Sequence, residues 1–175
     1  MNIKHYNNYI FDFDGTIVNL NANWPLLKKD INGLCGKYNI NINQKLNIKI
    51  DLLKEKVNAI ELFDIIKEYE QNNSEIDFTP INNTLNFIDK LDYLFIISNN
   101  LSSTVKKTLN KLGITKKSII IIGIDNVQNS KPNIESYNKL KPFLKEGSSI
   151  YIGDKETDFL FANNCQINFK YKEVI

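Results

Sequence analysis

The chain has 175 residues, of which 42% are hydrophobic and 24% are charged, and its formal net charge is +2. This length suits one core domain with a small insertion, and the nearly balanced charge lacks the basic excess that indicates nucleic-acid binding. All the positive charge comes from lysine, because the sequence contains no arginine. A site that binds an anion must therefore use lysine, backbone N–H groups or a metal ion, because no arginine guanidinium is available to bind it through two parallel hydrogen bonds.

Targeting signals are not evident in the sequence. The apolar run near the start is too short for a signal peptide, and no later run is long enough to span a membrane. Cys35 and Cys165 lie far apart and fit no metal-ligand spacing, so a reducing compartment is the simplest account. We therefore expect a cytoplasmic protein with no nucleic-acid or membrane partner, and the sequence leaves open whether it is a monomer or a homodimer.

The first predicted element is a short buried strand at residues 9–11, in the stretch YIFDFDGT. Asp12 and Asp14 come at its end, followed directly by Gly15. Burying an unpaired carboxylate costs free energy, so two carboxylates at this point indicate a positive partner. A hard cation such as magnesium fits, because it takes oxygen ligands.

A helical pattern then runs from about residue 19 to residue 79. Apolar residues recur at the spacing of one helix face over residues 24–38, 46–60 and 62–69. No strand pattern lies inside this region. We therefore predict an all-helical insertion over residues 19–79, and a core formed by residues 1–18 and 80–175.

Beyond residue 79 the predicted elements alternate between helix and strand. Thr79 and Pro80 read as the cap and first position of a helix, and Ser102 or Ser103 and Pro132 as the starts of later helices. Strands are predicted at residues 93–97, 118–122, 149–152 and 167–171. The alternation predicts an α/β fold, a doubly wound parallel sheet whose strands all end at one edge.

That edge is where ligands bind in open α/β sheets. Four predicted strands or the loops after them bring a polar residue to it, namely Asp12 with Asp14, then Ser98, Lys131 and Asp154. The agreement of four separate segments predicts a single site that contains these residues.

These residues stand in motifs that resemble those of the haloacid dehalogenase superfamily, whose members are aspartate-nucleophile phosphatases and phosphotransferases. The motifs are FDFDGT, Ser98 in IISNN, Lys131 in SKPN, and GDKETD with Asp154 and Asp158, in the family's order. The resemblance is to the phosphatase type with a small helical cap after the first motif, like phosphoglycolate phosphatases. It implies a Rossmann-like core capped by residues 19–79.

The resemblance also implies catalytic roles. Asp12 would attack phosphorus to form an aspartyl phosphate, and Asp14 would protonate the leaving oxygen and then accept a proton from the hydrolytic water. Ser98 and the N–H of Asn99 would bind phosphoryl oxygens, while Lys131 would neutralise charge on the phosphate and the nucleophile.

For the metal, the resemblance implies Mg²⁺ held by the Asp12 carboxylate, the Asp14 carbonyl oxygen and Asp154. Asp158 would be either a further ligand or an acceptor for a metal-bound water, and capping the following helix is an equally simple role for it.

The predicted function is a magnesium-dependent phosphatase acting on a small-molecule phosphate monoester. A sugar phosphomutase of the same superfamily, a signalling receiver domain and a non-catalytic phosphate-binding protein are the alternatives. Motif order argues against a receiver, and no motif position has lost its functional group. The substrate is not predicted. Trp24 could touch it, and Lys28 and Lys29 could contact a second anionic group, although a packed aromatic and a solvated helix face explain these residues as well.

Overall fold

The structure is a computed structural model that describes residues 5–72, 75–115 and 118–174. Its strands and α-helices are, in chain order, β1 (Asn8–Phe11), β2 (Val18–Leu20), α1 (Trp24–Lys37), α2 (Leu46–Lys54), α3 (Ala59–Gln71), β3 (Phe78–Pro80), α4 (Asn82–Ile88), β4 (Tyr93–Ile97), α5 (Ser102–Lys111), β5 (Ser118–Ile122), α6 (Glu135–Leu140), β6 (Ser149–Gly153), α7 (Glu156–Asn164) and β7 (Asn168–Tyr171). No helix within these residues is long and apolar enough to cross a bilayer.

The core is a five-stranded parallel sheet in the order β5-β4-β1-β6-β7. Strand β1 is central, and its Phe11 pairs with Ile96 of β4 on one side and with Ile152 of β6 on the other. The predicted doubly wound α/β fold is therefore confirmed. The strand ends that carry the predicted site residues lie next to one another at the carboxyl edge of the sheet.

Alternate residues of the central strand pack on opposite faces of the sheet. Phe11 belongs to an apolar cluster with residues of α4 and α5, whereas Ile10 belongs to a second cluster with residues of α6 and α7. Burial on both faces explains why the central strands read as continuous apolar runs.

The helices α1, α2 and α3 form a unit with its own apolar cluster, here called the helical unit (residues 24–71). Seven of its side chains are buried together, namely Leu27, Ile31, Cys35, Ile50, Leu53, Leu62 and Ile66. The cluster continues into Leu101, the cap residue of α5, and Ile124, which begins a short 3-10 helix after β5; both follow strands at the carboxyl edge of the sheet. The helical unit therefore packs over the edge where the predicted site lies.

The prediction of a strand-free region over residues 19–79 is wrong. Val18–Leu20 pairs antiparallel with Phe78–Pro80, so a two-stranded ribbon joins the chain on both sides of the helical unit. A strand of three residues is too short to show alternation in sequence. Pro80 is tolerated in it because a two-stranded ribbon leaves one edge unpaired, where the missing N–H costs little.

Three predicted helix starts are also corrected. Thr79 and Pro80 lie in β3, and α4 begins at Asn82. Pro132 follows a cis peptide bond and precedes α6, which begins at Glu135. Neither serine caps α5, since Leu101 holds the cap position and Ser102 instead donates hydrogen bonds to Asp125.

Candidate active site

The structure brings the predicted site residues together at the carboxyl edge of the sheet. A cavity of about 630 Å³ lies between this edge and the helical unit, and six of the seven predicted residues line it, namely Asp12, Asp14, Ser98, Asn99, Lys131 and Asp158. The seventh, Asp154, offers a carboxylate oxygen within 4.8 Å of oxygens from Asp12 and Asp158.

Asp12 is held at the floor of the site by the sheet itself. Its N–H donates to the carbonyl of Ile152 at 2.8 Å, which extends the pairing of β1 with β6 by one residue. The side chain is only 5% exposed, and its Oδ1 accepts a hydrogen bond from Lys131 at 2.8 Å. Burial, together with the nearby Asp158, raises the pKa of Asp12 to about 7 despite the lysine. Additional positive charge near Asp12 would favour the ionised form of this carboxylate.

Lys131 reaches the site from the loop before α6 and is 3% exposed. Its ammonium donates to Asp12 at 2.8 Å, to Asp158 at 2.6 Å and to the hydroxyl of Tyr151 at 2.7 Å, so all three of its N–H groups are used. Burial alone would lower the pKa of Lys131, but the two carboxylates outweigh it and the pKa is raised. The side chain is a fixed positive charge beside Asp12.

Tyr151 was not predicted as a site residue. It lies in β6, where its ring reads as an ordinary core aromatic, and its hydroxyl donates to the carbonyl of Ile97 at 2.7 Å while accepting from Lys131. The sequence carries no signal for this role, because only the parallel pairing places the hydroxyl beneath the lysine.

Asp14 is positioned by the ribbon that the sequence did not reveal. Its Oδ1 accepts a hydrogen bond from the N–H of Leu20 in β2 at 2.9 Å. The ammonium of Lys155 lies 3.5 Å from Oδ2 and donates to the Asp14 carbonyl oxygen at 3.2 Å. A positive group therefore already contacts the carbonyl that was predicted to bind the metal.

Gly15 allows Asp154 to approach the first motif. Its φ is +90°, and a Cβ at this position would lie 2.2 Å from the Oδ2 atom of Asp154, so only glycine fits. The Oδ1 atom of Asp154 is buried and has no hydrogen-bond partner among the described residues. Burial raises the pKa of this carboxyl. An unpartnered buried oxygen beside two further carboxylates fits a hard divalent cation that takes oxygen ligands.

Asp158 uses both carboxylate oxygens within the protein. Oδ2 accepts from the backbone N–H groups of Asp154 and Lys155 at 3.2 and 3.1 Å, at the start of α7, and Oδ1 accepts from Lys131. Of the roles considered, this geometry favours helix capping combined with positioning of Lys131.

Ser98 and Asn99 form the loop after β4. The Ser98 hydroxyl donates to Oδ1 of Asn100 at 2.8 Å, and the Asn99 Oδ1 accepts the N–H of Lys131 at 3.0 Å. The loop that carries Ser98 is thus bonded to the loop that carries Lys131. The two loops contribute neighbouring walls of the cavity.

Glu70, near the end of α3, is a second residue that sequence reasoning missed. It is 3% exposed, and its two oxygens accept from the Asn100 amide at 2.9 Å and the Leu101 N–H at 3.1 Å. Burial raises the pKa of Glu70 to about 7. One signal was available, because Glu70 continues the buried face of Leu62 and Ile66 at four-residue spacing, where a carboxylate needs a partner.

A polar face of α2 fastens the helical unit to the loop before Lys131. Asn47 donates to the carbonyl of Lys131 at 2.7 Å, and Asp51 accepts from the N–H and the hydroxyl of Ser130 at 2.8 and 2.6 Å. Lys54 pairs with Asp51 and donates to the carbonyl of Ile124 at 3.0 Å. In sequence this face resembles a solvated one, so its role could not be predicted.

Comparison with known proteins gives one family match and several similar structures. The model of the haloacid dehalogenase-like hydrolase family matches residues 9–171. An uncharacterized protein, MG415, from Mycoplasma genitalium is 29% identical over 132 residues, which are 74% of this chain and 19% of that protein. The chain thus spans about a fifth of the length of this curated relative.

The similar structures have low sequence identity and share the fold. A haloacid dehalogenase-like hydrolase from Bacteroides fragilis has a TM-score of 0.63 at 20% identity, over 94% of this chain and 86% of that one. A protein described as a phosphoglycolate phosphatase from Lactobacillus delbrueckii has a TM-score of 0.60 at 17% identity, over 95% and 85%. The hydrolase YfnB from Bacillus subtilis, solved bound to magnesium, has a TM-score of 0.55 at 17% identity, over 95% and 88%.

Proposed function

Because the chain belongs to the haloacid dehalogenase-like hydrolase family, we propose that it is a magnesium-dependent phosphatase that cleaves a small-molecule phosphate monoester through an aspartyl-phosphate intermediate. The observation that carries this proposal is the environment of Asp12. It is a buried carboxylate at a strand end, 2.8 Å from a lysine ammonium and next to a carboxylate with an unpartnered oxygen.

The first step is attack of an Asp12 oxygen on phosphorus. A phosphate dianion and a carboxylate repel each other by about 4 kcal/mol per like-charge pair at ~4 Å and an effective dielectric of 20. Lys131 offsets this repulsion, because its ammonium bonds to Asp12 and can attract the incoming phosphoryl oxygens. As the new P–O bond forms, the bond to the leaving oxygen breaks, and Asp14 supplies that oxygen with a proton.

The second step is hydrolysis of the aspartyl phosphate. Asp14, now deprotonated, accepts a proton from a water molecule whose oxygen attacks phosphorus, and the bond to Asp12 breaks. Inorganic phosphate leaves and the starting protonation states are restored. The hydrogen bond from Leu20 to Oδ1 fixes the orientation of Asp14, and Oδ2 becomes available for proton transfer when the Lys155 ammonium, 3.5 Å away, moves aside.

Magnesium would be held by the Asp12 carboxylate, the Asp14 carbonyl and Asp154. When bound, it supplies positive charge to the phosphoryl oxygens and keeps Asp12 ionised. Asp158 would not bind the metal directly. It would orient Lys131 by accepting a hydrogen bond from its ammonium. Lys155 must then release the Asp14 carbonyl, which its long and mostly exposed side chain allows.

The helical unit would act as the cap of the enzyme. It provides the wall of the cavity that faces the sheet edge, and α2 and α3 bond to the loops that carry Lys131 and Ser98. In this proposal the cap covers residues 19–79, as predicted, with the ribbon of β2 and β3 as its stem.

The test is release of inorganic phosphate from an aryl phosphate with and without magnesium. We expect Asp12→Asn to lower turnover by about a thousandfold or more, because amide nitrogen is not a nucleophile for phosphorus. Asp92→Asn, the same change at an exposed position, should leave turnover unchanged. Full activity in Asp12→Asn, or activity unaffected by a chelator, would overturn the proposal.

A further inference from the structure

One face of α2 bonds to the segment of chain that leads to Lys131. Its polar side chains are spaced by four and three residues, which places them on the same side of the helix, and they are Asn47, Asp51 and Lys54. Each of the three is hydrogen-bonded to the segment of residues 124–131, and the Asn47 contact reaches the carbonyl of Lys131 itself. Three successive positions of this face thus contact one segment.

Asp51 is at the centre of the face and uses both of its carboxylate oxygens. Oδ1 accepts from the Lys54 ammonium at 2.8 Å, while Oδ2 accepts from the N–H and the hydroxyl of Ser130 at 2.8 and 2.6 Å. The side chain of Asp51 is 12% exposed and that of Lys54 is 4% exposed. Hydrogen bonds to an ionised group are stronger than those between neutral groups, so Asp51 fixes both the backbone and the side chain of Ser130.

The backbone of Lys131 is held by the next two hydrogen bonds. Its N–H donates to Oδ1 of Asn99 at 3.0 Å, and its carbonyl accepts from the amide of Asn47 at 2.7 Å. Because the N–H of Ser130 is bound to Asp51, two successive backbone N–H groups and one carbonyl are occupied by side chains. The point from which the Lys131 side chain leaves the backbone is therefore fixed.

This point matters because a lysine side chain is long and has many rotamers. The Lys131 ammonium meets Asp12, Tyr151 and Asp158 at 2.8, 2.7 and 2.6 Å, and the three contacts together require one arrangement of the side chain. A displacement of about 1 Å at a group that takes part in a reaction can lower the rate by about a hundredfold. A residue that fixes the backbone beside Lys131 can therefore affect the reaction without touching the substrate.

We propose that Asp51 is a positioning residue for the reaction: by holding Ser130, it keeps the Lys131 ammonium in place at Asp12. This inference rests on the proposed phosphatase function, in which Lys131 offsets the repulsion between Asp12 and the phosphate. Asp51 and Ser130 are not among the described residues that line the cavity, so they act on the reaction through residues that do. The helical unit then does more than cover the site, because the alignment of a lysine in the core depends on one of its helices.

The experiment measures phosphate release from an aryl phosphate in the presence of magnesium. Asp51→Ala removes both acceptor oxygens and should lower kcat by about tenfold. Because Lys131 bonds to Asp12 before substrate arrives, the change in KM should be smaller than the change in kcat.

A second variant covers the case in which Asp51→Ala does not fold, since that substitution leaves the buried Lys54 ammonium without its ion pair. Asp51→Leu combined with Lys54→Met replaces the pair by apolar side chains, which proteins often tolerate. This double variant also removes the contact to Ser130, so it should show the same loss of kcat.

Nitrogen-15 spectra of the lysine ammonium groups give a readout that does not depend on turnover. All three N–H groups of Lys131 are hydrogen-bonded and the residue is buried, so its ammonium protons should exchange slowly with water. The signal is assigned by its disappearance in Lys131→Met. Asp51→Ala should shift or broaden it.

Gln71→Leu is the matched control, because it loosens the helical unit at a different contact. Gln71 lies at the end of α3 and bonds to three residues of α5, namely Ser103, Thr104 and Lys107. The substitution should lower stability in urea unfolding but keep the wild-type kcat and the wild-type Lys131 signal.

The outcomes separate this inference from the proposed function. A wild-type kcat in Asp51→Ala overturns the inference and leaves the phosphatase in place. The inference also fails if kcat falls while the Lys131 signal is unchanged, or if Gln71→Leu lowers kcat equally, since either result means that the helical unit has only been loosened. Failure of the wild-type protein to release phosphate overturns the phosphatase itself, and an unchanged Lys131 signal in Asp51→Ala then overturns the link to Asp51 as well.

Discussion

Glu70 makes the stability of the protein depend on pH in a way that can be isolated by one substitution. Its carboxyl is buried beneath Asn100 and Leu101, and burial raises its pKa from an ordinary value of 4.5 to about 7. Between these pH values the folded protein binds more protons at Glu70 than the unfolded chain does. The free energy of unfolding therefore falls as the pH rises through this window.

The size of the effect follows from the shift. A change from 4.5 to about 7, at about 1.36 kcal/mol per unit, corresponds to about 3 kcal/mol of stability lost between pH 4.5 and pH 7. Glu70→Gln cannot ionise, so this loss is absent from the variant. The substitution also replaces one acceptor oxygen of Glu70 by an NH₂ group, so either the Asn100 amide or the Leu101 N–H loses its acceptor. This loss costs about 1–3 kcal/mol of stability at every pH.

The assay is urea unfolding followed by circular dichroism from pH 4 to pH 8. We expect the stability advantage of the wild type over Glu70→Gln to shrink by about 3 kcal/mol across this range. Other groups with raised pKa values, such as Asp12, remain in both proteins and cancel in the difference. Glu68→Gln is the matched control, because it makes the same change at an exposed position of α3. A wild-type advantage that stays constant with pH would refute the reasoning.

Three further substitutions test the site. Gly15→Ala should weaken magnesium binding by about tenfold or more, because the new Cβ would lie 2.2 Å from an oxygen of Asp154. Titration calorimetry measures the affinity, and an unchanged value would contradict the predicted ligand set. Lys155→Ala should tighten magnesium binding by about threefold, because the substitution removes an ammonium from the Asp14 carbonyl oxygen. The effect should be smaller at high salt, and weaker binding by the variant would mean that Lys155 supports the metal. Tyr151→Phe should destabilise the protein by about 1–3 kcal/mol in urea unfolding, because the Lys131 ammonium loses an acceptor and the Ile97 carbonyl loses its donor. An unchanged stability would contradict this prediction.

The sheet and the strand-end residues could be predicted because their signals are local. Apolar runs between helical patterns fix a parallel sheet, and a polar residue directly after such a run must lie at its carboxyl edge. Asp12, Ser98 and Asp154 were found in this way. Val18–Leu20 and Phe78–Pro80 gave no such signal, because a three-residue strand becomes recognisable only through its partner, and the two strands are far apart along the chain.

The residues that were missed depend on contacts between distant parts of the chain. Tyr151 has the pattern of a core aromatic, and only its pairing in the sheet puts its hydroxyl beside Lys131. The polar face of α2 has the pattern of a solvated face, and only the packing of the helical unit turns Asp51 towards Ser130. Periodicity predicts which face of an element is buried, but it does not identify the polar partner that a buried or half-buried group will meet.

The ribbon of β2 and β3 has a mechanical consequence. The N–H that holds the Asp14 carboxyl belongs to Leu20, and Leu20 pairs with Phe78 in the stem by which the helical unit is attached. In the proposed mechanism, the acid Asp14 is therefore bonded directly to the ribbon that attaches the cap. If the helical unit tilts about this ribbon, we expect Leu20 to move with it and the orientation of the Asp14 carboxyl to change with the position of the cap.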